Sequence, residues 1–452
     1  AVYGDSSSGK AVNFVVKRGA LLTLNRANAL GSGNGVASVT VESGGTLSMA
    51  GNPAGMNGAV TIKAGGRLLA NNAGGLTGTG ALSFETGAIL EIATSAVGFS
   101  GPQAAAAAIE KGVIVRMNVG SIGSAVDTLD SYIGGKAIVY ESFNVWPANP
   151  AVAGTTVLTL NRGADGSGGI LVNDSANRSL SLLNHGKVVI GPNGGAMAAT
   201  TNTTLTVAQN IEFGTNELVI GSAAPVDGYP AKHGTVTLSA PAGYSTADAG
   251  SRILVITNAI LRNAADAIPD ETDIVVDGTF SMGGQETIGS LAGGGRVILG
   301  GYNLTLGSSG KSTSFSGDFA SAGTIVKTGT GRFDIVSSMT NHGVYAVNGG
   351  TLAFSGNGRQ LAATAYTLYD GGTLLLDNSG INDPDRLAGP TPGITFQGGT
   401  FQFIGKDGEA SGEELGQATF SGGASAMDVV NGAGPGSSSE IRFSAAAFVN
   451  GM

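Results

Sequence analysis

Two acidic clusters contain the residues of this chain that are best suited to chemistry. One is Asp270-Glu271-x-Asp273 and the other is Asp383-Pro384-Asp385-Arg386. Hydrolysis of a glycosidic bond needs carboxylates that converge on one face. A polysaccharide lyase needs carboxylate-bound calcium and a basic residue that removes a proton. The candidate ligands for a cation are therefore Asp270, Glu271, Asp273, Asp383 and Asp385.

Neither cluster has the surroundings that such chemistry requires. Each lies in a stretch that contains a proline, which is typical of a surface loop. Neither cluster recurs at the spacing of the repeats described below. We therefore interpret both as solvated loops, and the sequence predicts no catalytic residue, no cofactor and no firm metal site.

Two further patterns also favour turns over chemistry. The stretch from Gly307 to Thr313 ends like a phosphate-binding loop, but Thr305 stands where that motif has its first glycine, and no helical pattern follows. His185, His233 and His342 each precede a glycine. They are far apart in the sequence, so we interpret them as turn residues and not as metal ligands.

The composition is that of a chain with many short strands. Glycine accounts for 77 of 452 residues and charged residues for only 12%, against averages of about 7% and about 25%. The hydrophobic content of 42% argues against disorder, because disordered chains have little to bury. The absence of cysteine excludes disulfides and zinc-thiolate sites.

The charge argues against a nucleic-acid partner, and the hydropathy argues against a membrane-spanning helix. The net charge of -9 disfavours nucleic acid, whose phosphates favour clustered lysine and arginine. No apolar run reaches the roughly 18 residues of a membrane helix. We therefore expect no nucleic-acid partner and no membrane span in this chain.

A repeat of about 21 residues lies within the range that indicates a solenoid. Gly44-Gly45-Thr46-Leu47 recurs as Gly65-Gly66-Arg67-Leu68 and, degenerate, as Gly87-Ala88-Ile89-Leu90, and an alternating apolar segment precedes each copy. Stacked turns would place Val41, Ile62 and Phe84 in one column, and Leu47, Leu68 and Leu90 in another. Glycine suits the corners because it reaches positive φ without a clash.

The repeat predicts a long single body with one interruption. At this period the whole chain would form about 20 rungs, on the order of 100 Å in length. Solenoid rungs are expected over residues 1–94 and 156–452, with an insertion or irregular rungs over 95–155. That segment contains the only tryptophan, Trp146, and a predicted short helix over 103–111 that begins after Pro102 and ends at Gly112.

Two stretches carry a likeness to a known family. Thr23 to Gly33 followed by Val39 to Leu47, and Ile325-Val326-Lys327-Thr328-Gly329-Thr330-Gly331 followed by Asn348 to Leu352, resemble the autotransporter-associated β-strand repeat. The resemblance implies an all-β, right-handed parallel β-helix that serves as the passenger of a bacterial surface protein. It also implies export across the outer membrane, to the cell surface or the extracellular medium.

The sequence therefore favours a non-enzymatic structural protein: a surface stalk, an adhesin passenger or a subunit of a self-assembling fibre. We see no amphipathic cap at either end of the sequence, so the expected partners include a second copy stacked end to end. A host or cell-surface receptor or a polysaccharide is the other expected partner. The alternative function is a carbohydrate-active parallel β-helix enzyme, either a polysaccharide lyase or a hydrolase.

Overall fold

The computed structural model describes residues 13–25, 38–50, 54–55, 58–70, 76–77, 82–85, 87–92, 113–117, 138–141, 157–160, 162, 170–172, 177–180, 187–222, 232–240, 245–340, 343–362, 365–387 and 392–449. The chain forms two compact units, Ala1–Ala240 and Pro241–Met452. Each unit is an all-β parallel β-solenoid, and the described residues contain no helix. It follows that no described helix is long and apolar enough to span a membrane.

The strands of the first unit are short. They are β1 (Asn13–Val16), β2 (Leu21–Leu24), β3 (Ser38–Val41), β4 (Thr46–Met49), β5 (Ala54–Gly55), β6 (Val60–Ile62), β7 (Arg67–Ala70), β8 (Leu76–Thr77), β9 (Leu82–Phe84), β10 (Ile89–Ile92), β11 (Val113–Met117), β12 (Ile138–Glu141), β13 (Val157–Leu160), β14 (Ile170–Val172), β15 (Arg178–Leu180), β16 (Lys187–Ile190), β17 (Gly195–Ala198), β18 (Thr204–Val207), β19 (Asn210–Glu212), β20 (Glu217–Ile220) and β21 (Thr235–Leu238).

The strands of the second unit lengthen towards its end. They are β22 (Arg252–Val255), β23 (Ile260–Asn263), β24 (Asp273–Val276), β25 (Thr279–Met282), β26 (Glu286–Ile288), β27 (Ser290–Ala292), β28 (Arg296–Ile298), β29 (Asn303–Leu306), β30 (Thr313–Phe315), β31 (Asp318–Ala320), β32 (Gly323–Lys327), β33 (Arg332–Ile335), β34 (Ser338–Met339), β35 (Gly343–Val347), β36 (Gly350–Ser355), β37 (Arg359–Gln360), β38 (Ala365–Tyr369), β39 (Gly372–Asp377), β40 (Gly393–Gln397), β41 (Thr400–Ile404), β42 (Ala410–Gly422), β43 (Ala426–Val430) and β44 (Ser438–Phe448).

The predicted apolar columns of the first unit are confirmed. Strands β3, β6 and β9 pair in parallel with Val41 opposite Ile62 and Ile62 opposite Phe84. Leu47, Leu68 and Leu90 form the second column, through β4, β7 and β10. All six side chains are buried, so the alternation of apolar residues sets which face of each strand points inwards.

The glycine corners between these strands are also confirmed. Gly44, Gly65 and Gly87 have φ of 73°, 71° and 81°, a region that a residue with a Cβ atom rarely adopts. The amide of Gly44 donates to the carbonyl of Gly65 at 2.7 Å, and that of Gly65 donates to Gly87 at 2.8 Å. The corners therefore stack on one another as the strands do.

The predicted interruption over 95–155 falls mostly outside the described residues, as do its helix over 103–111 and Trp146. Two strands within it are described. Strand β11 pairs in parallel with β10 before it, and β12 pairs with β11 and with β14. The predicted domain limits, and the count of about 20 rungs for the whole chain, stay predictions.

The second unit contains the sheet that positions the candidate site. Its longest sheet has eight parallel strands in the order β26-β29-β32-β35-β38-β40-β42-β44, and a neighbouring sheet has six in the order β30-β33-β36-β39-β41-β43. Aromatic rings from these two sheets, and from β31 of the seven-stranded sheet, pack in the core. Phe315 lies 5.0 Å from Phe319, and Tyr345 stacks on Tyr366 at 5.2 Å between ring centroids.

The two stacked tyrosines differ in how their hydroxyl groups are satisfied. Both side chains are fully buried. The Tyr345 hydroxyl donates to Oε1 of Gln360 at 2.8 Å, whereas the Tyr366 hydroxyl has no hydrogen-bond partner among the described residues. A buried polar group without a partner costs free energy that a paired one does not.

We therefore expect opposite effects from removing the two hydroxyl groups. Tyr345→Phe should lower the free energy of unfolding by about 1–2 kcal/mol, because it leaves the Gln360 oxygen short of a donor. Tyr366→Phe should leave that free energy unchanged or raise it by about 1 kcal/mol. Urea unfolding of both variants checks this, and a larger loss for Tyr366→Phe than for Tyr345→Phe would contradict it.

Candidate functional site

The second acidic cluster lies in a loop that is anchored by a buried arginine side chain. This loop, residues 378–387, follows β39 and precedes β40. The Arg386 side chain is fully buried and donates to the main-chain oxygens of Gly356, Gly358 and Ile381 at 3.1, 2.7 and 2.8 Å, and to the side chain of Asn378. The interpretation of this stretch as a solvated loop is therefore wrong for Arg386.

Asp383 faces an arginine of the preceding turn. Its Oδ1 accepts from Nη2 of Arg359 at 2.7 Å and from the amide of Asp385 at 3.1 Å. The pair raises the pKa of Arg359, chiefly through the hydrogen bond with Asp383. Asp383 is thus part of an ion pair between turns, which accounts for a carboxylate in a nearly buried position.

Asp385 lies in an acidic groove with a volume of about 380 Å³, and the residues that line it are Pro384, Asp385, Gly412, Glu413, Glu414, Glu440 and Arg442. One cation balances part of this charge. Arg442 contacts Glu440 through two hydrogen bonds of 2.9 and 2.8 Å, and Glu414 at 3.5 Å. The hydrogen bond with Arg442 lowers the pKa of Glu440, so this carboxyl stays ionised.

Glu413 forms the buried wall of the groove. It is 3% exposed, and its two oxygens accept the amides of Arg386 at 3.0 Å and Leu387 at 2.9 Å. Burial raises the pKa of Glu413 to about 7; the two amide hydrogen bonds oppose the rise, and Asp385 and Asp383 add to it. This carboxyl group therefore changes its protonation near neutral pH.

A second glutamate repeats this arrangement elsewhere in the unit. Glu286 is 1% exposed, and its Oε2 accepts from Nδ2 of Asn263 at 2.8 Å and from the amides of Ala267 and Ile268 at 3.1 and 3.3 Å. Burial raises the pKa of Glu286 to about 8 against the opposing hydrogen bonds, with a further rise from Asp266. Both glutamates thus bind two consecutive amides of a loop.

Neither glutamate was a candidate in the sequence, and the burial pattern of β42 shows where Glu413 lies. Ser411, Glu413 and Leu415 alternate with exposed or half-buried residues along β42. This alternation places Glu413 on the inner face of a strand. A charged residue at an inward position predicts a partner inside the fold.

The first acidic cluster also forms hydrogen bonds between turns of the solenoid. Asp273 begins β24 and is 7% exposed, so the interpretation of this cluster as a solvated loop is wrong for Asp273. Its Oδ1 accepts from the hydroxyl groups of Ser290 at 2.6 Å and Ser309 at 3.0 Å, and its other oxygen contacts Lys311. Lys311 of the Gly307–Thr313 stretch therefore pairs with Asp273. The amide of Gly310 donates to the carbonyl of Gly307 at 3.0 Å, which supports the interpretation of that stretch as a turn.

The predicted cation ligands are not gathered into a metal site. Burial raises the pKa of Asp270, with a contribution from Asp266. In the described part of the chain, no group of three or more histidine, aspartate or glutamate residues could hold a metal ion. Of the three histidines, His233 is half-buried, and His185 and His342 lie outside the described residues.

The lysine of the repeat motif explains part of the sequence signature. Lys327 is 1% exposed, and its Nζ donates to the carbonyls of Thr328 at 2.5 Å, Gly329 at 3.5 Å and Gly349 at 3.3 Å. Burial lowers the pKa of Lys327 to about 8. The side chain holds the carbonyl groups of two successive corners, which gives the Lys-Thr-Gly-Thr-Gly step a structural role.

Comparisons with known proteins give no further assignment. No protein-family model, no curated protein and no solved structure matches this chain. The likeness to the autotransporter-associated repeat therefore stays a prediction from the sequence.

The raised pKa of Glu286 predicts how stability depends on pH. The unfolded chain ionises this group near pH 4.5, whereas the folded chain resists ionisation up to about pH 8. The contribution of Glu286 to the free energy of unfolding is therefore fully present below pH 4.5 and falls as the pH rises to 8. Glu286→Gln should keep the oxygen that accepts Asn263, Ala267 and Ile268, lose only the longer contact of the other oxygen with the Thr287 amide at 3.3 Å, and remove this fall.

Urea unfolding at pH 5, 6.5 and 8 measures the effect. We expect Glu286→Gln to be close to the wild type at pH 5 and more stable than the wild type at pH 8. Glu409→Gln is the control, because Glu409 is exposed and its pKa is lowered by hydrogen bonds with Lys406 and Asn382. If Glu286→Gln were less stable than the wild type by the same amount at pH 8 and at pH 5, burial would not oppose the ionisation of Glu286.

Proposed function

We propose that this protein is a non-enzymatic, extracellular structural protein of a bacterial surface: a stalk, an adhesin passenger or a subunit of a self-assembling fibre. The observation that carries the proposal is that the buried charged side chains form hydrogen bonds with the main chain. Arg386, Lys327, Glu286 and Glu413 each bind main-chain groups of the turns around them. Side chains that bind main-chain groups stabilise the turns and are not directed at a substrate.

The resemblance in the sequence supports the finer part of the proposal. A passenger of the autotransporter type would be a right-handed parallel β-helix of about 20 rungs, with an irregular segment and short helix over 103–111. It would be exported across the outer membrane, and it would contact a receptor or a polysaccharide outside the cell. Lys327 connects this likeness to the structure, because the motif lysine lies at a stacked corner.

End-to-end stacking of copies is the proposed route to a fibre. Among the described residues, β43 and β44 come last in their sheets. A parallel sheet can extend by pairing with a strand of another copy, and repeated head-to-tail contacts lead to open filaments.

One observation favours the alternative, a carbohydrate-active enzyme. Glu413, which titrates near pH 7, lies in the same groove as the ionised Glu440. A protonated and an ionised carboxyl together are the pair that glycosidases use. Against this, both oxygens of Glu413 already accept main-chain amides, so a proton donor would have to give up a contact that holds the loop.

Electron microscopy of the purified chain in negative stain, at several concentrations, tests the structural proposal. We expect rods on the order of 100 Å, the length that about 20 rungs predict, or long fibres of uniform width if the ends stack. Compact globular particles would contradict the proposal.

Assays for the release of sugar fragments from a panel of acidic and neutral polysaccharides separate the two functions. We expect no activity in the wild type. Activity that Glu413→Gln abolishes, and that Glu409→Gln leaves intact, would instead establish the enzyme. Circular dichroism of both variants shows whether a loss of activity reflects a loss of the fold.

A further inference from the structure

The sequence contains a single Asp-Pro pair, and its peptide bond lies in the loop of residues 378–387. This bond joins Asp383 to Pro384. The nitrogen of a proline carries a ring carbon in place of a hydrogen, which makes it a better leaving group than an ordinary peptide nitrogen. The aspartate supplies a carboxylate that can reach its own carbonyl carbon by closing a five-membered ring. An Asp-Pro bond is therefore among the peptide bonds that a chain can most readily cut by itself.

The side chain of Asp383 is folded over this bond. Its Oδ1 accepts the amide of Asp385, two residues further along the chain, at 3.1 Å, which forms an Asx-turn. The turn brings the carboxylate back along the main chain, over the bond between residues 383 and 384. Ionised aspartate serves as a nucleophile in covalent catalysis, and a nucleophile that is held beside its target reacts far faster than one that must meet it in solution.

The carbonyl oxygen of the same bond is bound by a buried donor. Nδ2 of Asn378 donates to the main-chain oxygen of Asp383 at 2.9 Å. A donor at this distance stabilises the negative charge that an attacked carbonyl oxygen acquires. Arg386 orients the amide, because it donates to Oδ1 of Asn378 and leaves Nδ2 directed at Asp383. The side chains of Asn378 and Arg386 are fully buried, which keeps water away from this donor.

The leaving nitrogen lies beside an excess of negative charge. Pro384 lines the acidic groove, whose lining residues include four carboxyl groups and one guanidinium. The nitrogen of Pro384 gains positive charge as its bond to carbon breaks and it takes up a proton, and nearby carboxylates stabilise that charge. Solvent reaches the groove, because the side chains of Glu414 and Glu440 are 66% and 62% exposed. Water can therefore deliver the proton.

We propose that the protein cuts its own chain between Asp383 and Pro384. An oxygen of the Asp383 side chain forms a bond to the main-chain carbonyl carbon of the same residue, and the bond from that carbon to the nitrogen of Pro384 breaks. The electron pair of the broken bond stays on the nitrogen, which takes a proton from water. Water then opens the cyclic anhydride and leaves two carboxyl groups on Asp383. The net reaction is hydrolysis of one peptide bond, and nothing is oxidised or reduced.

The cut leaves the two pieces paired. Beyond it, β40 and β41 pair in parallel with β38 and β39, which precede it, so the pieces separate only when the protein unfolds. The carboxylate must also leave Arg359, whose Nη2 lies 2.7 Å from Oδ1 of Asp383, so the cut is slow. Each chain reacts once and acts on no other molecule. The proposal therefore stands apart from both the structural function and the enzymatic alternative.

Incubation of the purified whole chain at neutral pH with protease inhibitors, followed by a denaturing gel and intact mass spectrometry, tests the self-cleavage. We expect two fragments, residues 1–383 and 384–452, that accumulate at a rate independent of protein concentration. Hydroxylamine added during the incubation should become attached to Asp383, because it intercepts the anhydride. A folded chain that stays intact, or equal cutting of the chain unfolded in guanidinium chloride, would overturn the proposal.

Three conservative variants test the reacting groups. Asp383→Glu keeps a carboxylate but requires a larger ring, and Pro384→Ala restores an ordinary peptide nitrogen. Asn378→Asp keeps the oxygen that accepts Arg386 but removes the N–H donor. Each should slow the cut by about tenfold or more, and loss of a donor to the attacked oxygen alone has an effect of this size or larger in other enzymes.

Ser379→Ala is the matched control in the same loop. It removes a hydroxyl group that donates to Asp377, and this hydroxyl touches none of the reacting atoms. The control should cut at the wild-type rate, and circular dichroism should show the same fold for all four variants. Cutting of Asp383→Glu, Pro384→Ala and Asn378→Asp at the rate of Ser379→Ala would show that these groups do not carry the reaction, and would overturn the proposal.

Discussion

The corners of the solenoid impose the constraint on which the rest of the structure depends. Parallel strands satisfy their own amides and carbonyls through the turns before and after them, but a corner or loop leaves such groups without a ladder partner. A buried main-chain group without a hydrogen bond is costly. Glycine corners solve this by stacking directly, as Gly44 and Gly65 do. Where a corner or a loop leaves such a group without a stacked partner, a side chain supplies the hydrogen bond.

In the second unit, charged side chains from neighbouring turns fulfil that need. Lys327 and Arg386 donate to carbonyls, and Glu286 and Glu413 accept amides. Charged groups form stronger hydrogen bonds than neutral ones, and this gain offsets part of the cost of burying the charge. The cost remains visible in the raised pKa values of the glutamates and the lowered pKa of Lys327. Unusual pKa values in this protein therefore have a structural cause.

The sequence was sufficient to predict the regular part of the fold. The columns through Val41 and Leu47 follow from alternation along a strand and from a constant period between glycine pairs. The partners of Glu413 could not be predicted, because Arg386 and Leu387 lie about one turn earlier, across a loop whose length departs from the period. Asp383 was named as a cation ligand, and only the stacking of turns shows that Arg359 pairs with it.

Hydrogen exchange of individual amides, measured by NMR or by mass spectrometry with fine peptide coverage, tests most directly whether buried carboxyl groups hold the loops. The amides of Arg386 and Leu387 lie between strands, so an ordinary loop would exchange them quickly. The account predicts that they exchange as slowly as the strand amides of β38, because Glu413 accepts both. Exchange as fast as at the exposed Gly380 would contradict it.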